Sequence, residues 1–354
     1  MSLLLEKIKD VFEVQILSRI LDDYKKYHLH DFKAFESLLE KDKQIECPRC
    51  HCSDISKNGK DKNGTQRFVC KSCGKNFNIA ADTLFFSSKI NIKAWYAFLE
   101  CILNGTTVAA ACTTAKISTV TGSIWMRKIF KVLKNYQDDI VLNSPVFIDE
   151  TYVHEDASKI EYKDEIGKIK KVKKQPRGIS RNKICILIAT DKKKSFALIV
   201  NHGRPQRMKN YEICKKHIVP GSHLIGDEDT SLTYTANQMK LSREMYKSNT
   251  EEAYEHLEPI DQLCSSYKFF LGKHKGFKKE ILQDYTNLFI FMENEKNITD
   301  NLFEITIKLM EMLINYKKTA CLSYMLSAIC FIGMFFLLRV LTVLTLSLHK
   351  SNKP

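Results

Sequence analysis

Two Cys-x-x-Cys pairs, Cys47-Pro48-Arg49-Cys50 and Cys70-Lys71-Ser72-Cys73, stand nineteen residues apart and constrain this chain more than any other feature. Each pair forms a knuckle that presents two thiolates on one side. Two knuckles at the ends of a hairpin close a tetrahedral four-sulfur shell around Zn²⁺. A redox motif would need only one such pair. Cys47, Cys50, Cys70 and Cys73 are therefore expected to hold a structural zinc ion with no open coordination position, and His51 and Cys52 to stand by as bystanders. The ribbon's Lys57, Lys60, Lys62, Arg67 and Lys71 suit contact with a DNA backbone, although ribbons also serve as protein–protein modules.

The other eight of the twelve cysteines are scattered through 354 residues, unlike the regular spacing of a short secreted disulfide scaffold. The first residues, Met1 to Leu5, form a short apolar stub followed by Glu6, Lys7 and Lys9, which does not resemble a signal peptide. A reducing cytoplasmic setting, associated with the nucleoid, is the expectation. The length suits two or three domains, and 44% hydrophobic residues suffice to bury real cores. A formal net charge of +14 favours a polyanionic partner, because neutralising phosphates releases counterions.

Read along the chain, residues 1–44 show helical spacing through Leu4, Ile8, Phe12, Ile16 and Ile20. Residues 45–80 carry the cysteine pairs, and 86–137 return to helical patterning. Residues 145–292 alternate strand-like runs (Val146 to Ile148, Ile184 to Ala189, Phe196 to Val200, Leu224-Ile225) with helical stretches, an α/β signature. A further helix is expected over 293–318, and a hydrophobic tail over 319–350. Within that tail, 319–338 is free of charge and long enough to span a bilayer, so a membrane tether through 319–348 competes with a buried hydrophobic helix.

The 86–137 region reads as a helix-turn-helix. Trp95 to Leu103 is apolar-rich, Asn104-Gly105 breaks it, and Thr106-Thr107 cap a second helix over Val108 to Thr114. Ser118 caps a third, whose apolar residues are Val120, Ile124, Trp125, Ile129 and Val132. In such a motif the second helix of the pair reads the major groove from its N-terminal turns. Ser118, Thr119, Thr121 and Ser123 are expected to face bases, and Arg127 and Lys128 to meet phosphates. The alternative is a plain packing unit. Between the first two strand candidates, Lys163 to Lys183 holds seven Lys and two Arg. Within it, Lys170, Lys171, Lys173, Lys174, Arg177 and Arg181 are candidate DNA contacts, and a solvated loop is the alternative.

Two strands run from apolar residues into acid: Val146-Phe147-Ile148-Asp149-Glu150 and Leu224-Ile225-Gly226-Asp227. Neighbouring strands that both end in Asp can converge on Mg²⁺ or Mn²⁺, hard cations that prefer oxygen. Asp261, 34 residues after Asp227 at the head of a helical stretch, would complete a two-metal site for in-line phosphoryl transfer. Taken singly, each Asp is also a common turn former.

With these motifs in order, residues 45–292 resemble insertion-sequence transposases of the zinc-ribbon, ISXO-like DDE class. The resemblance rests on the ribbon, Phe85-Phe86 to Asn104-Gly105, Asp149-Glu150-Thr151-Tyr152, Arg177-Gly178-Ile179-Ser180, Gly203-Arg204-Pro205 and the Asp227 strand. It implies a multidomain α plus α/β chain: N-terminal helices, a zinc ribbon, a helix-turn-helix and an RNase H-like catalytic core. It also implies Asp149 and Asp227 as metal ligands, double-stranded DNA as substrate, and a homodimer or higher assembly on that DNA. The family's third ligand, usually Asn, Glu or His, is Asp261 here, and its usual Asp-Gly-His is replaced by Asp227-Glu228-Asp229. The competing expectation is a DNA-binding protein that keeps ribbon and helices but does not cut.

Overall fold

The computed structural model describes residues 45–60, 66–78, 84, 92–154, 161–163, 169–171, 183–247, 250–274, 279–313 and 316. The expectations for 1–44, for Lys173, Lys174, Arg177 and Arg181, and for the tail lie outside them. Two compact units emerge, one containing the ribbon and the other running Ile92–Lys308.

The ribbon is an antiparallel sheet of β1 (Ile55–Lys60), β2 (Gln66–Cys70) and β3 (Asn76–Asn78). Phe68 and Phe77 face each other across β2 and β3 with ring centroids 5.8 Å apart, and both are buried. Little else there is apolar and covered, so the sheet alone offers a very small core.

The second unit starts with α1 (Ile92–Leu103), α2 (Val108–Thr114) and α3 (Thr119–Leu133). The expected caps form: the Thr107 side chain accepts from the Ala110 N–H, and Ser118 from the Thr121 N–H. Gly105 takes φ +72° in the turn after α1, a backbone state that a side chain would strain. Trp95 of α1 stacks on Trp125 of α3 at 3.8 Å, with Phe98 edge-on to Trp125 at 5.3 Å, locking the two helices together.

A five-stranded sheet follows, from β4 (Val146–His154), β7 (Lys183–Thr190), β8 (Ser195–His202), β9 (His223–Asp227) and β10 (Ser242–Tyr246), in the order β10-β9-β4-β7-β8. β4, β7 and β8 form an antiparallel meander, while β9 and β10 run parallel to β4. α4 (Arg207–His217) links β8 to β9, and α5 (Thr230–Met239) links β9 to β10. After α6 (Glu251–His256) come α7 (Glu258–Lys273), a 3₁₀ turn at Lys279–Ile281, α8 (Leu282–Lys296) and α9 over 302–313. This strand order and direction, with helices on the two parallel crossovers, is the RNase H-like fold. β7 is buried along almost its whole length, as a central strand covered on both faces must be.

Two expectations need correction. β4 does not stop at its acidic pair: Thr151, Tyr152 and Val153 favour extended backbone and stay paired with β7 as far as His154. Asp149 therefore sits in mid-strand. The basic stretch is also more than a loop, since β5 (Glu161–Lys163) and β6 (Ile169–Lys171) pair antiparallel within it.

The β8 edge of the sheet is finished by side-chain amides. Asn294 exchanges two hydrogen bonds with the backbone of Ser195, and Gln137 does the same with Ala197. Gln283 accepts from the Ile199 N–H. Three alternate residues of the edge are thus paired without a further strand.

Candidate metal centres and nucleic-acid interface

In the ribbon both knuckles fold alike. His51 N–H donates to the Cys47 carbonyl and Gly74 N–H to the Cys70 carbonyl, each at 2.9 Å. His51 and Gly74 both take positive φ, 57° and 70°, to turn the chain after the second cysteine. The four sulfurs lie within 4.8 Å of one another, with Cys47 to Cys73 and Cys50 to Cys70 each at 3.5 Å. Tetrahedral Zn–S bonds of about 2.3 Å require sulfur separations of roughly 3.8 Å, so the cysteine set fits a structural zinc ion. Burial alone would raise the Cys47 thiol, but the backbone N–H groups of Cys50 and Arg49 outweigh it and hold Cys47 near about 6. Against the pull of the Cys52 N–H, the Cys73 sulfur and burial push neighbouring Cys50 the other way, up to about 12, so the lowered value belongs to the crowded set of sulfurs and not to Cys47 alone. Cys52 is engaged with Ser72 Oγ at 2.9 Å instead, and His51 is exposed.

The carboxylates come from three elements. Along the parallel β4–β9 pair, Ile148 is in register with Gly226, so Asp149 and Asp227 follow one step on as neighbours. A Cβ at 226 would lie 2.8 Å from the Ile148 carbonyl oxygen, which is why glycine precedes Asp227 at this close approach. Asp261 is in the first turn of α7, and one turn on, Cys264 directs its thiol to Asp149 Oδ2 at 3.6 Å. Burial raises the Asp149 carboxyl above the ordinary range. The Glu150 N–H and the Cys264 thiol pull it down, and the charges of Asp227 and Asp261 push it up again. Asp261 is raised by burial and by Asp227, against the pull of Lys268. Asp149 thus feels both of its partners, although the three do not form a set with all ligand atoms within 4.8 Å. Among the described residues only the cysteines do.

Glu150, the next residue, takes part in a network that sequence reading did not find. Its buried carboxylate accepts from Asn210 Nδ2 of α4 at 2.6 Å and from Ser231 Oγ of α5. Burial, partly countered by the Ser231 hydrogen bond and reinforced by Asp229 and Asp149, raises it to about 7. Asp229 is the N-cap of α5, accepting from the Ser231 N–H at 2.6 Å. β4 is thereby tied to the turn that carries Asp227. Only the alternation of a strand, which puts Asp149 and Glu150 on opposite faces, was available in the sequence to suggest this.

On α3, Thr119, Val120, Ser123, Ile124 and Arg127 are exposed, whereas Gly122, Trp125, Met126, Ile129, Phe130 and Leu133 are buried. Of the helix's apolar residues Trp125 and Ile129 are buried, whereas Val120 and Ile124 lie on the outer face. Thr121 is half-buried with its hydroxyl 2.9 Å from Ser118 Oγ, and Lys128 lies over the Trp95 ring at 5.6 Å. Lys170 and Lys171 belong to β6. Among the described residues no helix is long and apolar enough to cross a membrane.

Residues 43–74 match the family model of the InsA N-terminal domain, a zinc ribbon. Comparison with curated proteins gives no match. Among solved structures the chain is similar to a pre-cleavage Mos1 transpososome, at 12% identity over 64% of this chain and 77% of that one, with a TM-score of 0.30. It is likewise similar to the Mos1 strand transfer complex, at 11% identity over 63% and 76%, with a TM-score of 0.28. A third is the Mos1 mariner paired end complex with Mn, at 11% identity over 62% and 75%, with a TM-score of 0.26.

Proposed function

We propose that this chain is a DNA transposase, which cuts at the terminal repeats of a mobile element and joins the freed 3′-hydroxyl to target DNA. What supports the reading is that three acidic residues lie on neighbouring elements: Asp149 on β4, Asp227 at the end of β9 and Asp261 in the first turn of α7, the helix whose Cys264 thiol reaches Asp149. Asp149 and Asp227 are neighbours across a parallel strand pair, and Asp149 feels the charge of both Asp227 and Asp261. Asp149 and Asp227 are half-buried and Asp261 is exposed; negative charge gathered there favours a cation, and an all-oxygen donor set suits Mg²⁺ or Mn²⁺. A two-metal site spaces its ions about 3.5–4 Å apart, so its ligands need not share a single coordination sphere.

Asp149, Asp227 and Asp261 would hold the ions. When bound, divalent ions would supply activation of the attacking oxygen and stabilisation of the leaving one. The protein's own share is to position and to neutralise, and no covalent nucleophile is required. Cys264 fits that division: burial and the Asp149 charge raise its thiol, so it stays protonated and donates to Asp149. The InsA-like ribbon, the outer face of α3 and the basic β5–β6 segment are the DNA-holding surfaces in this reading, with Lys170, Lys171, Lys173, Lys174, Arg177 and Arg181 on phosphates. Joining two element ends calls for at least two copies on DNA.

The test is metal-dependent nicking and strand transfer on labelled duplexes carrying the sequences that flank the gene, comparing the intact protein with Asp149→Ala and Asp227→Ala. Activity in Mg²⁺ or Mn²⁺ that both variants lose, with binding unchanged, supports the reading. Tight binding by the intact protein without any cutting would instead favour a DNA-binding protein that does not cut.

A further inference from the structure

We propose that the outer face of α3 reads thymine, with Val120 and Ile124 packing on the 5-methyl groups in the major groove. The inference rests on the DNA-binding reading above and goes beyond it by naming what is recognised and by which side chains.

Three observations carry it. Val120 is 68% exposed and Ile124 44% exposed, one helical turn apart on a helix whose opposite face is fully packed. Three of the four hydroxyls beside them are engaged by the helix itself, that of exposed Thr119 excepted. Ser118 Oγ accepts from the Thr121 N–H and meets the Thr121 hydroxyl, and the Ser123 hydroxyl donates to the Thr119 carbonyl at 2.9 Å. The N-terminal half of this face therefore offers mainly apolar surface. Finally, Arg127, Lys131 and Lys134 continue the same exposed stripe toward the C-terminus, along a cleft that Glu280 and Asp284 also line, so the apolar pair lies at the head of a mainly cationic row.

That combination selects its occupant. The thymine methyl is the one apolar group that a base pair projects into the major groove, and phosphates flank it within reach of cations. Each methyl taken out of water by Val120 or Ile124 should strengthen binding about fourfold, from the usual transfer value for one buried carbon.

The experiment uses the full-length zinc-loaded protein. Duplexes are selected from a random-sequence pool, and each thymine in the selected site is then replaced by deoxyuridine, which removes only the methyl. The expected result is a loss of about fourfold at one or two positions. The variant Val120→Ala/Ile124→Ala should bind thymine and uracil forms equally while keeping its low-salt non-specific binding. Selective binding that ignores the methyl would overturn the proposal and leave the DNA-binding reading intact. A double variant with a lower melting temperature or a smaller assembly would overturn it too, since the face would then be covered by protein, whether residues 1–44 or a second copy. No binding to any duplex would remove the DNA-binding reading, and the proposal with it.

Discussion

The ribbon and the RNase H-like sheet reach stability by opposite routes. The ribbon covers one aromatic pair, Phe68 and Phe77, and gathers four thiols within 4.8 Å. The sheet buries β7 almost completely and seats Phe196, Phe289 and Phe291 with almost no exposure. The described strands, with so little apolar area, offset little of the entropy of ordering their chain, and a metal on the four thiols would supply what their packing does not. The larger unit has no such need, and its acidic residues are left available for chemistry. In one chain, then, a metal site can be the reason a unit folds, while the second site proposed above would be something a folded unit carries.

The largest effect expected from this contrast is on the ribbon. Stripping zinc with a chelator, or Cys70→Ser, should remove on the order of 10 kcal/mol from ribbon folding. Backbone amide signals of 45–78 should collapse while the melting transition of the Ile92–Lys308 unit stays in place, and loss of both together would end the comparison. The reverse case is Phe289→Ala. Phe289 packs on Tyr267 and Phe270 at 5.1 and 5.5 Å, and truncation should cost about 3–5 kcal/mol in denaturant unfolding of the larger unit, with zinc content unchanged.

Within the larger unit, two buried groups respond to acid in opposite directions. Burial, with the Lys273 charge, holds His274 down at about 4, so its contribution to stability is full above its unfolded value near 6.5 and is lost as pH falls through 4. Up to about 3 kcal/mol is at stake, read as the difference between the intact protein and His274→Phe at each pH. Glu150, raised to about 7, has the opposite sign: its contribution is full below about 4.5 and is lost as pH rises through 7. Subtracting the His274 variant removes that opposing slope. Glu150→Ala leaves Asn210 and Ser231 without their shared acceptor and should cost about 1–3 kcal/mol, whereas Glu150→Gln should recover part of it. The smallest change is Ser118→Ala, at about 1 kcal/mol by thermal melting, for one lost helix cap.

Much of this was legible in the sequence where a single local rule decides the outcome. The cysteine spacing gives the ribbon, Thr107 and Ser118 give the helix starts, and Val146 to Ile148 gives the central strand. The rest depends on what lies opposite. β10, Ser242-Arg243-Glu244-Met245-Tyr246, has almost no apolar alternation because it is an exposed edge, so only its pairing with β9 defines it as a strand. Val120 and Ile124 have the same periodicity as Trp125 and Ile129, and periodicity alone does not say which row the neighbouring helices cover. Asp149 and Asp227 could be nominated from acid at the end of an apolar run. The Glu150 network joins residues 60 and 81 positions apart, beyond the reach of any local pattern.

The amides along β8 have a consequence for how copies of this protein can meet. A sheet ordinarily offers its last strand to any chain that can lie alongside it, the usual opening for unwanted fibrous growth and for peptides that bind as an extra strand. Here Asn294, Gln137 and Gln283 already occupy the positions that an incoming strand would take at Ser195, Ala197 and Ile199. That side of the sheet is closed to edge-to-edge pairing, so a strand from a second copy could join this sheet only at the opposite, exposed edge, β10.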